Sequence, residues 1–394
     1  MEFLGYERPD GTVGVRNHVV VIPAGRCANE LAATIADGVK DTVPILHNHG
    51  CARLKPDNER ALKTLIGLGC NPNVAAAVVV GLGCEVVSPS QISNGIARSK
   101  KPVEVVTIEQ TGGFQQAVDK GQAMARRMMA QASQMSRKPY DVSHLTVGVK
   151  CGGSATISAL AGHPCTGWVL DSLISKGGRA IFTETAEIIG AEHILARRAV
   201  NQEVRQRLFE VAGRMEATIK ASGVDIRGAQ PSPGNIKSGL STLEEKSLGA
   251  IVKAGSAPLQ GVLEYAEKPQ GKGLFFMDST AWTSQLFLGM GAAGAQTFIF
   301  SVGGGLPARS RSMPGAGWLP IIPIMKIVGD PNIKQELEYF DIYAGTIIEG
   351  QESVDQVGSR FFQELVNVAS GKLTKLEHSS YREVLDMYAT GPLM

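Results

Sequence analysis

Residues 74–83 read VAAAVVVGLG, an apolar run that no polar side chain interrupts. A half-exposed strand would alternate polar with apolar, and an amphipathic helix would space its apolar residues by three and four. A short β-branched run that is polar on neither face belongs in the middle of a sheet covered on both sides. Residues 18–23, HVVVIP, have the same character. Between and after these runs, NELAATIADGVK and NERALKTLIGLG carry the three-to-four apolar spacing of amphipathic helices. Strand and helix therefore alternate, which specifies parallel βαβ units.

The pattern resumes later in the chain. LTVGVKC reads as a strand, GWVLDSLISKG as a helix and RAIFTET as a strand, followed by a long helical stretch and two further strands in GLFFMDS and AAGAQTFIFSVGGG. With 394 residues, the chain exceeds one ordinary domain of roughly 100–200 residues. The reading is an α/β protein of two domains: a Rossmann-like βαβ domain over 1–140 and an α/β catalytic domain over 141–394. The boundary is placed where RRMMAQASQMSRKPYDVS, 126–143, loses its apolar periodicity.

Charge excludes several classes of partner. The 39 basic and 37 acidic residues are interspersed and leave a formal charge of +2, so neither nucleic acid nor an anionic membrane is an expected ligand. No uncharged apolar run approaches the ~18 residues of a membrane span, and the N-terminal residues lack the basic and apolar regions of a signal peptide. A cytoplasmic protein is expected. Six cysteines, none spaced as CxxC, then read as thiols or ligands and not as disulfides.

In open parallel sheets, ligands sit outside the carboxyl ends of the strands. This chain places its unusual residues there: Cys84 and Glu85 after VAAAVVVGLG, Cys151 to Ser154 after LTVGVK, Glu184 and Glu187 in and after RAIFTET, Asp278 after GLFFM. In LHNHGC, residues His47, His49 and Cys51 alternate, so an extended segment would turn all three toward one face. Nitrogen and sulfur donors together suit Fe(II), Mn(II) or Zn(II). The alternative is that Gly50 turns the chain and leaves a polar loop. Glu85, directly after an apolar strand, must pair, bind a cation or reach solvent. The metal donors expected from these motifs are His47, His49, Cys51, Cys84, Glu85 and Cys151.

The remaining candidates bind or transfer protons. Gly152, Gly153 and Ser154 form a strand-to-loop turn whose backbone N–H groups can cradle a carboxylate, and ISALAGHPCTG, with His163 and Cys165, extends that lining loop. Glu184 and Glu187 lie three apart, hence on one face if a helix has begun, an arrangement suited to a metal carboxylate or a general base. His193 follows in the same stretch as a third catalytic candidate. Asn235 and Lys237, beside a Pro-Gly turn, and Arg309 and Arg311, beside the SVGGG loop, are the expected anion sites.

Taken in order, GYERPDGTVGVRN, LHNHGC, NPNVAAAVVVGLGCE, CGGS, FTETAEIIGAEHILARRAV, PSPGN, LEEKSLGAIVKAG and ASGKLTKLE resemble the altronate and galactarate dehydratase family over nearly the whole chain. The resemblance implies dehydration of a hydroxy acid aided by a divalent metal, usually Fe2+, with Mn2+ or another divalent ion as alternatives. Two departures shift the expected substrate. After CGGS the dehydratases carry an aspartate and an Asn-Pro loop, where this chain has Ala155 and GHPC at 162–165. Their Gly-Arg-Gly loop is replaced by Gly303, Gly304 and Gly305. Fewer polar groups suit a shorter acid than a polyhydroxy chain.

The chain also begins at the first shared motif, without the small N-terminal SAF-type domain of single-chain dehydratases. That organisation resembles the two-subunit sulfolactate sulfo-lyases within the family. It implies a small SAF-domain partner subunit, an oligomeric assembly and a small anionic 2-hydroxy acid as substrate. Two other readings stay open: an iron–sulfur protein whose Cys51, Cys84 and Cys151 converge on a cluster, and a non-catalytic subunit.

Overall fold

A computed structural model describes residues 1–303, 318–378 and 383–393. Strand β1 (Glu2–Glu7) pairs antiparallel with β2 (Val13–Gly14). The first parallel sheet follows, built from β3 (His18–Pro23), β4 (Thr42–Pro44), β5 (Val74–Gly81) and β6 (Val103–Thr107) in the order β4-β3-β5-β6. All eight residues of β5 are buried, as its unbroken apolar run requires. Successive side chains of β3 serve two different cores. Val20 and Ile22 pack with the helices Lys55–Cys70 and Pro89–Ala97, while Val19 and Val21 pack with Asn29–Asp37 and Phe114–Ala132.

The second sheet has seven parallel strands in the order β10-β11-β9-β8-β12-β13-β14. After β7 (Lys138–Asp141), which rejoins β1, come β8 (Thr146–Gly152), β9 (Arg179–Phe182), β10 (Leu259–Leu263), β11 (Gly273–Met277), β12 (Thr297–Val302), β13 (Ile324–Val328) and β14 (Ile342–Tyr343). One face is covered by the helices His163–Ser175 and Val354–Ala369, the other by Thr283–Ala292. Helix Thr283–Ala292 also packs on helix Lys55–Cys70, so one apolar core joins the two sheets. Strand order reverses at β8, between β9 and β12, and the carboxyl end of such a strand is where open parallel sheets place their ligands.

The α/β class and the parallel sheets are as the sequence reading has them. The stretch around 126–143, where the sequence reading places the boundary, is regular structure. It holds the last turns of helix Phe114–Ala132 and then β7, whose pairing with β1 ties residues 138–141 back to the start of the chain. At the other end Leu385 bridges to His47 and Leu393 to Arg53, so the last described residues cross back onto the segment that follows β4. Among the described residues no helix is long and apolar enough to cross a membrane.

Arg16 locks this return. The residue is 6% exposed, and its guanidinium donates to both oxygens of Glu377 at 2.7 and 2.8 Å and to the carbonyls of Val15, Val368 and Lys372. Burial alone would raise the Glu377 carboxyl, but the bonds and charge of Arg16, then Thr374, hold it below the usual range. A depressed carboxyl contributes stability above its unfolded value of ~4.3 and loses it as pH falls through the folded value. Glu377→Gln should therefore destabilise the protein by about 2–4 kcal/mol at pH 7. The gap in urea midpoint between variant and parent should narrow as pH drops below about 4; a gap that stays constant down to pH 3 contradicts the assignment.

Candidate active site

Strand β8 ends in Lys150-Cys151-Gly152, and the chain then turns through Gly153, whose φ of +62° is open to glycine. The neighbouring strand β9 leads into Glu184, a buried non-glycine residue at φ +81°. A left-handed conformation at such a residue costs on the order of 1–3 kcal/mol and persists only where its surroundings impose it. Here the surroundings are charges. Glu184 Oε2 accepts from the Cys151 backbone N–H at 3.1 Å and from Lys253 Nζ at 2.7 Å, and Oε1 lies 3.9 Å from Lys150 Nζ.

One turn on, Glu187 Oε1 pairs with Lys246 at 3.1 Å, and its Oε2 lies 3.2 Å from Cys151 Sγ. Lys253 also donates to Cys151 Sγ at 3.3 Å. Lys246, Gly249 and Lys253 share one face of the helix Leu243–Val252 and its end, being three and four residues apart. Between the two lysines, the Gly249 carbonyl accepts from His163 Nδ1 at 2.8 Å.

Three ammonium groups thus meet two carboxylates and one thiol in a space closed to solvent. Burial, and next the charges of Glu184 and Glu187, push the Cys151 thiol up. Burial likewise pushes Glu184 up, against the pull of Lys253. Glu187 goes the other way: Lys246, then Lys253 and Lys150, outweigh burial and hold it at about 2. Two carboxylates driven apart in this way take different roles, one able to carry a proton and one that stays ionised. Burial opposes the Lys253 charge, but Cys151, Glu184 and Glu187 outweigh it, so Lys253 is kept protonated.

The same donors are of a type that binds a divalent cation once the thiol ionises and Lys253 withdraws from it. Ligand atoms of Cys151, Glu184 and Glu187 lie within 4.8 Å of one another, and one soft sulfur with two hard oxygens suits a borderline metal such as Fe2+ or Mn2+.

The other expected metal donors are elsewhere. His47 is buried with both ring nitrogens engaged: Nε2 lies 2.8 Å from the Pro23 carbonyl, so it carries the proton, and Nδ1 accepts from the His49 backbone N–H at 3.2 Å. No lone pair is left for a metal. His49 is buried beside it, but the chain bends at Cys51 and Ala52 and leaves Cys51 exposed, so the three side chains do not share a face. Cys84 is exposed. Glu85 folds back to accept from the N–H groups of Leu82 and Gly83, satisfying the loop after β5 instead of reaching a cation.

Among the substrate-binding candidates, Gly152, Gly153 and Ser154 form the turn above Cys151, with Ser154 Oγ 3.9 Å from the sulfur. Asn235 is buried and donates to the Ser154 carbonyl at 2.8 Å, while its Oδ1 accepts from Lys246 at 3.4 Å, so it braces the turn. Lys237 is exposed at the end of the short helix Pro233–Lys237, and His193 is exposed on Glu192–Ala196; neither reaches the cluster. Arg309 and Arg311 lie outside the described residues. Lys150 and Lys253 were missed by the sequence reading. Their signal was present: a lysine inside an apolar strand or on the buried stripe of a helix must have a partner.

Residues 142–390 match the family profile described as D-galactarate/altronate dehydratase, C-terminal, and residues 5–133 match the second domain of D-galactarate dehydratase/altronate hydrolase. The chain is 35% identical over 384 residues to the (2R)-sulfolactate sulfo-lyase subunit beta of Chromohalobacter salexigens, covering 97% of this chain and 96% of that one. It is 31% identical to the galactarate dehydratase (L-threo-forming) of Escherichia coli, over 94% of this chain and 73% of that enzyme. With the altronate dehydratase of Bacillus subtilis it shares 29%, over 97% and 76% respectively.

Removing Lys253 leaves a buried carboxylate without its ammonium. Lys253→Met should lower stability by about 3–5 kcal/mol. Adding Glu184→Gln should recover part of that loss, since the uncompensated charge goes too; losses that simply add in urea unfolding would show that the two groups do not interact.

Proposed function

The chain belongs to the D-galactarate/altronate dehydratase family, an enzyme family of lyases, and from that membership we propose a β-elimination on a small anionic 2-hydroxy acid, (2R)-3-sulfolactate in the first place. The observation that carries this reading is the excess of buried positive charge. Among the described residues, Lys150, Lys246 and Lys253 face two carboxylates, Glu184 and Glu187, and the thiol between them is pushed toward its neutral form. A site short of negative charge and closed to water favours an anionic ligand. Sulfolactate brings a carboxylate and a sulfonate on three carbons.

The chemistry follows from the two carboxylates. Glu184, fixed by Lys253 and the Cys151 N–H, takes the proton from C2. The electron pair of that bond forms C2=C3, and the C3–S bond breaks with its pair leaving on sulfite. The resulting enol takes a proton at C3, gives up the proton of its C2 hydroxyl and becomes pyruvate. Glu187 stays charged throughout, and the lysines stabilise the enolate that develops as the C2 proton leaves. Where a divalent cation such as Fe2+ or Mn2+ is held by Cys151 and Glu187 beside Glu184, it supplies the Lewis acidity that weakens the C2–H bond.

Similarity to a subunit beta supports a small partner subunit in a larger assembly. The six free cysteines suit a reducing cytoplasm. A second reading, dehydration of altronate or galactarate, is favoured by the similarity to enzymes of those names. Its leaving group would be water, and the steps would be otherwise the same.

Substrate and leaving group are separated in one assay. Protein loaded anaerobically with Fe2+ or Mn2+, alone and with its small subunit, should release sulfite and pyruvate from (2R)-3-sulfolactate, and chelation should abolish the reaction. A 2-oxo acid formed from altronate or galactarate, with no sulfite from sulfolactate, replaces the first reading by the second.

A further inference from the structure

The HNHG segment contributes no donor to the cluster around Cys151, yet it is joined to that cluster through a short run of polar contacts. Residues 385–387 lie against it: Leu385 N–H donates to the Leu46 carbonyl at 2.8 Å, and Asn48 N–H donates to the Leu385 carbonyl at 3.0 Å. Asn48 then uses its whole side chain on the same segment. Its Oδ1 accepts from Met387 N–H at 2.9 Å, and its Nδ2 donates to Asp386 Oδ1.

The other oxygen of Asp386 accepts from Gln285 Nε2 at 2.8 Å, and the Asp386 N–H donates to Ser284 Oγ at 2.8 Å. Both residues are in the first turn of helix Thr283–Ala292, where a carboxylate is favoured by the exposed N–H groups and the helix dipole. Gln285 cannot choose another orientation freely, because Thr280 Oγ1 donates to its Oε1 at 2.7 Å. The residue before Ser284 is Thr283, whose Oγ1 accepts from Lys150 Nζ at 2.8 Å, and Lys150 faces Glu184.

We propose that Asp386 is a positioning residue that clasps Asn48 of the first sheet's loop to Gln285 of the second sheet's helix, and so fixes the helix start that holds Lys150 at Glu184. The inference rests on the lyase reading for its kinetic test only. The carboxylate suits the place because it is an acceptor on both sides, with an amide donor on each. Asp386→Asn would set one of its own N–H groups against a donor. Asn48→Asp would set two carboxylates together. The reciprocal exchange of both residues restores every bond: the carboxylate placed at position 48 accepts from the Met387 N–H and from the new amide at position 386, whose oxygen still accepts from Gln285.

The test uses the full chain with its small subunit. Asp386→Ala should lower kcat at least tenfold with KM changed less, and Asn48→Asp combined with Asp386→Asn should return kcat to within about threefold of the parent, while either single change stays low. Kinetics unaltered in Asp386→Ala, or a double variant no better than the singles, overturns the proposal. Amide hydrogen exchange gives a readout independent of any substrate. Asp386→Ala should speed exchange at residues 46–48 and at 284–287 together, and the double variant should reverse it. Faster exchange confined to residues 384–388 also overturns the proposal, whichever acid the enzyme turns over.

Discussion

A carboxylate that is 1% exposed has no water to stabilise it, and the arrangement around Glu184 follows from that fact. Lys253 supplies the compensating charge at 2.7 Å, and it in turn is 1% exposed, so neither ion survives the loss of the other. Such a pair gives little net stability relative to two apolar residues of the same size. What it gives is definition. The left-handed backbone at Glu184, the Cys151 N–H aimed at its oxygen and the turn of glycines above are arranged around one charge, and a strained, desolvated group of this kind is the form in which reactive sites store their readiness.

Parallel strands explain how residues from distant stretches reach one place. Lys150 and Cys151 end β8, Glu184 follows β9 beside it, and β12 on the other side presses Gly303 so close that a side chain there would meet the Gly153 carbonyl at 2.1 Å. The strands and their polar ends were legible in the sequence, since an apolar run that stops at Cys-Gly-Gly or Thr-Glu-Thr marks both the strand and its mouth. Pattern therefore singles out Glu184, Glu187 and Cys151, which the fold brings together. What pattern could not supply was direction. Alternation in LHNHGC predicts a common face only for an extended chain, and the bend at Cys51 and Ala52 voids it; Glu85 had three possible fates and met the least reactive, its own loop. Lys253 was hidden because its partner lies 69 positions back in the chain, at Glu184.

The path of the chain's last residues was not legible, for a related reason. Periodicity identifies elements but not where a tail returns. Residues 383–393 carry no strong pattern, yet Leu385 pairs beside His47, and Asp57 accepts from the N–H groups of Thr390 and Gly391. With helix Thr283–Ala292 packed on Lys55–Cys70, the two sheets behave as one body held by a shared core and a polar seam. The motif His47–Gly50 then has a structural meaning. His47 closes onto Pro23 and His49, and Asn48 faces the seam.

The same geometry decides among the chemistries the cysteines left open. An iron–sulfur cluster of this chain would need several thiolates around one centre. Cys51 and Cys84 are exposed at the first sheet, whereas Cys151 is buried at the second with two carboxylates and Lys253 as its neighbours. Among the described residues the sulfurs do not converge, and the one that is buried is surrounded by oxygen donors. A single thiol in that company is a ligand or a neutral spacer between charges. Either role is compatible with the proposed elimination from a hydroxy acid, which demands a site for an anion and a proton.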